Sequence, residues 1–583
     1  MGLSRVRKSS GPALRGLSVA LGVAGALVAA RPARAQLEPA SDLPRLILQI
    51  TVDQLRGDLP LRYSDRFVDG GFRYLLEEGT WYHDAQHAHA NTETIVGHAT
   101  LATGAHPAAH GMVGNLWFDR ALGRTVYNIE DPEYRLLTEG AGVDQDREID
   151  PTQRAARSDG RSPAAILTST FSDELAIGTA GRAKIFGVSV KDRGAVSMAG
   201  HAGRAFWFSK QTGEFVTSTY YYDAYPDWVV EWNRERKAFA YADTRWELLH
   251  GSASYMFAEH DDREGETELA DFGRTFPHPY GPGDGPYFTT LLTLSPAGDA
   301  LTLDFAKTLL EAEGLGEDDV PDYLSISFSS TDYVGHLFGP SSLESEDNLL
   351  RLDRALAELF AFVDERVGLE RTLIVLSADH GGAELPSYLQ ELGIPSGYVD
   401  PDSWDRAAGL AELERRFGAS ETLIASYDHP YVYLNRDEIE ARGLEQGEVE
   451  AAVAEELMKL PGVALAVSSV ALREGRAPEM PLLEAVRYNF NPRRSGDVFV
   501  VFEPGHFIND FDGLTVATTH GSPWRYDTFV PIAFGGWGVP SASVHRPVRT
   551  VDVAPTLSSL MRIKPPSGAV GEPLVEVVEG RHR

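Results

Sequence analysis

A chain of 583 residues, 43% apolar and 24% charged, can bury a large core and is too long for one simple domain. Its formal charge of −32, from 85 acidic against 53 basic side chains, creates a field that repels nucleic acid and argues against a nucleic-acid partner. The lack of cysteine excludes disulfides and thiolate chemistry, so stability and metal binding must come from other groups.

In chain order, the first feature is a leader. Residues 1–35 hold Arg5, Arg7, Lys8 and Arg15, then the apolar run Leu17 to Ala30, then Ala33-Arg34-Ala35 ahead of Gln36. This predicts a cleavable secretory signal whose apolar part is too short to span a bilayer. Its removal takes away six basic residues and brings the charge to −38. The mature chain, residues 36–583, is expected to be exported, periplasmic in a Gram-negative cell or secreted, with no stable membrane anchor. The sequence sets no oligomeric state, and a monomer is compatible with it.

Arg45 to Val52 reads as a buried strand, with Asp53 directly after it. A Thr-rich turn, Asn91-Thr-Glu-Thr-Ile-Val-Gly-His98, places Thr94 at the start of the helical-looking Ile95 to Thr103. A hydroxyl there meets unpaired backbone amides and the positive end of the macrodipole, and can serve as a nucleophile or as a plain helix cap. Thr92 is a rival for either role. A second strand, Ala183 to Val190, runs into Lys191-Asp-Arg193, and two cations two residues apart at a strand end put their heads on one side.

The stretch of about 195–300, rich in aromatics such as Phe206-Trp-Phe208 and Tyr220-Tyr-Tyr222, reads as an inserted cap. Tyr323 to Ser329 is the next strand, and the following Asp332-Tyr-Val-Gly-His336 sets a carboxylate and an imidazole on one face of a helical turn. Leu349, Leu352, Leu356, Leu359, Phe360, Val363 and Val367 repeat at helical spacing. The strand Thr372 to Ser377 leads to Asp379-His380-Gly-Gly, a tight turn in which adjacent ligands can face different metals. A second insertion, about 383–500, has its own strands at Tyr431 to Leu434 and Val463 to Ser468, and a helix at Gln446 to Lys459. His520 follows in a loop, and Thr528 to Phe534 is a last strand.

This is an α/β pattern with a largely parallel sheet flanked by helices. In such sheets ligands bind outside the carboxyl ends of the strands, and Asp53, Lys191, Asp332, Asp379 and His380 all lie at or just past such an end. Each motif alone has an ordinary explanation as a cap, a loop imidazole or a solvated charge. Together, carboxylates and imidazoles without thiolate suit zinc or another divalent ion, and a pair of such sites suits phosphoryl chemistry.

The series Asp53, Thr94-x-x-x-His98, His110-Gly-Met-Val-Gly-Asn115, Lys191-Asp-Arg193, Asp332-x-x-x-His336, Asp379-His380 and His520 resembles the alkaline phosphatase superfamily. Within it the chain resembles the PafA-type phosphatases with a Thr nucleophile, whose core is similar to that of nucleotide pyrophosphatase/phosphodiesterases. The closing Asp552-Val-Ala-Pro-Thr556 and Gly571-Glu-Pro573 belong to the same match. The resemblance implies two Zn2+ per chain, one surrounded by Asp53, Thr94, Asp379 and His380, the other held by Asp332, His336 and His520. It implies in-line attack by Thr94 on phosphorus to form a phosphothreonine, with Asn115, Lys191 and Arg193 contacting the phosphoryl oxygens. Small-molecule phosphate monoesters are the implied substrates, since added cations favour a dianion over a diester.

The alternative is a phosphodiesterase or nucleotide pyrophosphatase of the same superfamily, in which the Lys191/Arg193 pair would be absent from the site. A non-catalytic secreted binding protein on this scaffold is a remote third, opposed by the complete ligand set. The sulfatase motif is absent. The resemblance gives His87, His89, His98 and His110 no zinc, and they are expected to hydrogen-bond loops or ligands. Asn91, Tyr333 and His201 are expected to support the site.

Overall fold

Alternation of side chains across a pleated strand decides how the centre of this molecule is packed. In the computed structural model, which describes residues 42–406, 408–418, 423–511 and 514–580, the central sheet comprises ten strands. They are β1 Leu46–Val52, β2 Thr80–Gln86, β3 Ile185–Ser189, β4 Arg204–Ser209, β5 Glu214–Val216, β6 Asp322–Phe328, β7 Thr372–Ser377, β8 Phe529–Gly536, β9 Ala542–Val544 and β10 Val548–Arg549. The expected leader lies outside the described residues. All seven residues of β1 are buried, because both faces of the sheet are covered. Leu46, Leu48, Ile50 and Val52 share one apolar cluster with Leu349, Leu352, Leu356, Leu359, Phe360, Val363 and Val367. Ile47, on the opposite face, packs with Phe171, Leu373, Val553 and Leu557.

The strand order is β9-β2-β8-β7-β1-β6-β3-β4-β5, with β10 paired to β2. The run β7-β1-β6-β3-β4 is parallel throughout. Its register sets Thr51 opposite Ser377, Val52 opposite Phe328 and Ser327 opposite Ser189. Four neighbouring strands therefore end level, and whatever follows them emerges on one edge.

Four helices carry or brace what emerges there: α1 Thr94–Thr103, α2 Asp192–Ala199, α3 Ser330–Phe338 and α4 Leu343–Arg366. The helical spacing read from Leu349 to Val363 falls within α4, with Val367 its C-cap. The strand expected at the C-terminal side is β8, which runs antiparallel to both β7 and β2. Five strands of this sheet, β2, β4, β5, β9 and β10, are not marked in the sequence, and β2 and β4 show why. In β2, Thr-Trp-Tyr-His-Asp-Ala-Gln mixes polar and apolar residues along a partly open strand. In β4, Phe206-Trp-Phe208 was assigned to a cap, yet it extends the central sheet beside β3.

The segment expected to have its own alternation forms a separate four-stranded antiparallel sheet. Its order is Ile424–Asp428, Tyr431–Leu434, Val498–Phe502, Val463–Ser468. Val432 and Leu434 face the helix Gln446–Leu457 through Val449, Val453 and Leu457. Tyr431 and Tyr433 face the other way, into the cluster that holds Ile95, Val96 and Ala99 of α1. This second sheet thereby shares an apolar cluster with the helix that begins with Thr94.

Leu356 is fully buried between α4 and the sheet. Leu356→Ala is expected to lower the unfolding free energy by about 2–5 kcal/mol, read as a shifted denaturation midpoint, and an unshifted midpoint would mean that this face is not packed as described.

Candidate active site

The level strand ends gather six candidate ligands into two groups. Asp53 follows β1, and Asp379 and His380 follow β7; their ligand atoms lie within 4.8 Å of one another. Asp332 and His336, one turn apart on α3, meet His520 from the loop ahead of β8 within the same limit. The groups adjoin, since the rings of His380 and His520 stack with centroids 3.6 Å apart and His380 Nε2 lies 4.0 Å from Asp332 Oδ1.

The three histidines are held in one tautomer by the same device. Nδ1–H is donated to a backbone carbonyl at 2.8 Å in each: His336 to Thr518, His380 to Gly381, His520 to Thr92. Each Nε2 lone pair then faces carboxylate oxygens, His336 and His520 at 3.4 Å from Asp332 Oδ1, His380 at 3.4 Å from Asp53 Oδ1 and Asp379 Oδ2. A lone pair aimed at a carboxylate repels it unless a cation lies between them. Both carboxylate oxygens of Asp53, Oδ2 of Asp379 and Nε2 of His380 are buried without a hydrogen-bond partner among the described residues. Lys191 compensates part of this buried charge; what is left costs several kcal/mol, roughly, and a divalent cation in each group would offset it. The residues present therefore fit a pair of such ions. Burial pushes His520 down to about 3, which keeps its ring neutral and able to coordinate, whereas at His380 burial is outweighed by the carboxylates of Asp379 and Asp53, which raise it to about 9, so that a proton holds the place of a cation there.

The phosphoryl-contact candidates surround these groups. Thr94 is the first residue of α1 rather than its cap; Glu93, extended, takes the cap position. Arg193 Nη2 lies 3.5 Å from Thr94 Oγ1. Asn115 Oδ1 accepts from the N–H of Ile95 at 3.1 Å, which ties the side chain to the first turn of α1. Lys191 reaches Asp53 Oδ2 at 2.8 Å and also Asp332 Oδ2. Burial alone would lower its affinity for a proton, and the carboxylates of Asp332 and Asp53 outweigh this and raise it. In Lys191-Asp192-Arg193 the middle residue turns inward. Asp192 accepts from Arg193 N at 2.8 Å, Tyr127 Oη at 2.6 Å, Arg161 Nε at 2.6 Å and Gln153 Nε2 at 3.1 Å. Anchoring the centre fixes both flanking cations, with Lys191 capping α2 and Arg193 in its first turn. A cavity of about 110 Å3 is lined by Asn115, Arg193, Asp332, Tyr333, His336 and His520.

Close backbone approach makes this packing possible. Gly97 of α1 passes so near the turn after β7 that a Cβ there would sit 1.8 Å from the carbonyl oxygen of Asp379. Gln54, at φ +63°, lies in the left-handed region that favours glycine. That conformation lets its N–H reach Asp379 Oδ1 at 3.2 Å while Nε2 reaches Asp332 Oδ1 at 3.1 Å, bridging both groups.

Other expected supports are distributed unevenly. His98 Nδ1 is 2.9 Å from the Thr94 carbonyl and 3.1 Å from Asp379 Oδ2, with Nε2 on Ser327 Oγ at 3.0 Å. His87 bonds the carbonyl of Ala378 at 3.1 Å, and His110 pairs with Thr100 at 3.2 Å. His89 is buried with neither ring nitrogen hydrogen-bonded. Asn91 donates to Glu93 Oε2 at 3.1 Å, and the Tyr333 ring centroid lies 4.8 Å from Lys191 Nζ. Thr92 is occupied, donating to the Ser522 carbonyl at 2.9 Å. His201 is engaged elsewhere, with Asp173 at 2.8 Å at the start of the helix Phe171–Gly178. Three contributors were not foreseen: Gln54, Glu93, whose Oε2 accepts from Asn115 N at 2.6 Å, and Asp150, which holds Arg193 Nη1 at 3.0 Å. Gln54 and Glu93 adjoin motif residues and were within reach of a local reading. Asp150 is 43 positions from its partner and carries no local mark beyond an Asp-Pro helix start.

The family described as Type I phosphodiesterase / nucleotide pyrophosphatase matches residues 47–523. The chain is 35% identical over 558 residues to alkaline phosphatase PafA of Elizabethkingia meningoseptica, covering 95% of this chain and 98% of that protein. It is also 35% identical over 540 residues to a Myroides odoratus protein named calcium-transporting ATPase, covering 92% and 95%. The crystal structure of wild-type alkaline phosphatase PafA superimposes with a TM-score of 0.82 at 33% identity, covering 92% of this chain and 99% of that one. A PafA variant substituted at a threonine, an asparagine, a lysine and an arginine superimposes equally well.

Gly97→Ala should force α1 away from the turn carrying Asp379, at a cost of about 1–3 kcal/mol. Calorimetric titration with a divalent cation is expected to show weakened uptake together with a lower melting temperature; unchanged uptake would mean that this contact does not set the ligand geometry.

Proposed function

The chain belongs to the type I phosphodiesterase/nucleotide pyrophosphatase family, and from that premise we propose that it is an exported alkaline phosphatase that hydrolyses phosphate monoesters through Thr94. One observation carries the reading: two groups of three ligands, one fully buried and the other half-buried at its histidines, stand side by side, with Lys191 on their carboxylates and Arg193 3.5 Å from a helix-start hydroxyl. The relatives named alkaline phosphatase, one of which matches nearly end to end, support phosphate-ester hydrolysis. The substituted Thr, Asn, Lys and Arg of the PafA variant are spaced as Thr94 and Asn115, and Lys191 and Arg193, are here, which supports a shared phosphoryl site.

Nitrogen and oxygen donors without sulfur fit two Zn2+ ions, one at Asp53, Asp379, His380 and Thr94, the other at Asp332, His336 and His520. The chemistry that bound ions supply is positive charge, which lowers the proton affinity of the Thr94 hydroxyl and balances charge on the entering and departing oxygens. Thr94 Oγ1 adds to phosphorus as the bond to the alcohol oxygen breaks; the hydroxyl proton goes to solvent and the alcohol takes one up. Water then adds to the phosphothreonine, the bond to Oγ1 breaks, and phosphate leaves with Thr94 restored. Arg193 and Lys191 present positive charge to the non-reacting oxygens. With Oδ1 of Asn115 committed to Ile95, its amide N–H2 is the half left to donate.

Export rests on the leader pattern of residues 1–35. No described helix is long and apolar enough to cross a membrane. Residues 36–583 are read as one catalytic domain, with the 383–500 segment as a cap and the other cap beginning only after β5.

Thr94→Ala is expected to lower kcat/KM on p-nitrophenyl phosphate by at least about a thousandfold while zinc content stays near two per chain. Lys191→Ala/Arg193→Ala should cost roughly a hundredfold or more on that monoester and far less on bis-p-nitrophenyl phosphate. A diester preference indifferent to those two residues would replace this reading with the phosphodiesterase one.

A further inference from the structure

The reaction above leaves the alcohol side of the substrate without a partner, and the surroundings of the cavity supply one. A groove of about 940 Å3 adjoins the smaller cavity, and the two share Glu93, Pro151, Thr152 and Phe511 as walls. A group attached to a phosphoryl in the cavity can extend into this groove directly. Farther out, its walls include Tyr398, Tyr427 and Asp428, the last two from a strand of the second sheet.

The charge of this lining is one-sided. Among the described residues that line it are the carboxylates of Glu93 and Asp428 and no lysine or arginine. Arg154, near the rim, donates to the Phe511 carbonyl at 3.3 Å. Asp428 takes hydroxyl donors, Thr125 at 3.1 Å and Ser426 at 2.9 Å, and burial still raises its affinity for a proton, which a bound cation would relieve. His429 adds no positive charge, because burial pushes its ring down to about 4. A groove that offers both a partly buried carboxylate, Asp428, and aromatic walls, Tyr398 and Tyr427, has the components with which quaternary and primary ammonium groups are bound.

We propose that this groove receives the alcohol portion of the substrate and selects phosphate monoesters whose alcohol carries an ammonium group, disfavouring those that carry further anionic groups. The proposal rests on the monoesterase reading given above. An anionic extension would lie against the same carboxylates, in a chain whose overall charge is already −32.

The test compares kcat/KM of the zinc-loaded protein on phosphocholine, on its neutral isostere 3,3-dimethylbutyl phosphate, and on phosphoglycolate, for wild type and Asp428→Asn. Phosphocholine is expected to exceed the isostere by roughly tenfold and phosphoglycolate to be slowest. In Asp428→Asn the first ratio should fall toward one while turnover of methyl phosphate is unchanged. Equal values for phosphocholine and its isostere in the wild type, or a ratio untouched by the substitution, overturn the proposal. Absence of all monoester turnover in the wild type would sink the underlying reading instead. The groove is then judged by calorimetric binding of choline against 3,3-dimethylbutanol, where tighter choline binding supports it and equal binding overturns it.

Discussion

Asp53, Asp332 and Asp379 are buried together at the edge where parallel strands end, and mutual repulsion among desolvated carboxylates is the term the surrounding structure has to balance. Lys191 balances part of it, through contacts with two of the three. Hydrogen bonds from Gln54 to Asp379 and Asp332 balance more. The remainder falls on positions faced by imidazole lone pairs, which a neutral protein group cannot fill. Local features that look expensive in isolation follow from this requirement. The left-handed Gln54 places its donors against two of the carboxylates, and the close pass of Gly97 sets α1 against the backbone of Asp379.

The sheet explains why so few residues suffice. Because β7, β1, β6 and β3 are parallel and end level, residues more than three hundred positions apart arrive within hydrogen-bonding distance without long loops. Only His520 comes from a segment that is not a direct strand or helix continuation of that edge. The second sheet, which shares an apolar cluster with α1 through Tyr431 and Tyr433, adds walls around the centre and, among the described residues, no candidate ligand to it.

What could be read in advance follows the range of the forces involved. Strands buried on both faces declare themselves as continuous apolar runs, and Asp53, Asp379 and His380 stand directly after two of them, so their position at the sheet edge was legible. α4 was legible because its buried face repeats over six turns. β2 was hidden by His83, Asp84 and Gln86, polar residues tolerated where the strand is half open. β4 was hidden by aromatics whose abundance suited a cap equally well. The pairing of Asp150 with Arg193, and the inward turn of Asp192 toward Tyr127 and Arg161, depend on contacts between distant segments, and no spacing rule within either segment encodes them.

The attachment of His520 also bears on the timescale of metal exchange. Asp53, Asp379 and His380 belong to the most deeply buried part of the sheet, so freeing an ion from that group means disturbing β1 or β7 themselves. His520 sits on a loop fastened by a few backbone contacts, its own ring on the Thr92 carbonyl and Ala517 N on the His336 carbonyl at 2.8 Å. Opening that loop removes one ligand of three without unfolding the sheet, and local openings of this size are far more frequent than global ones. Ions held in the two groups would therefore differ in residence time, and a chelator would empty the group beside the loop first.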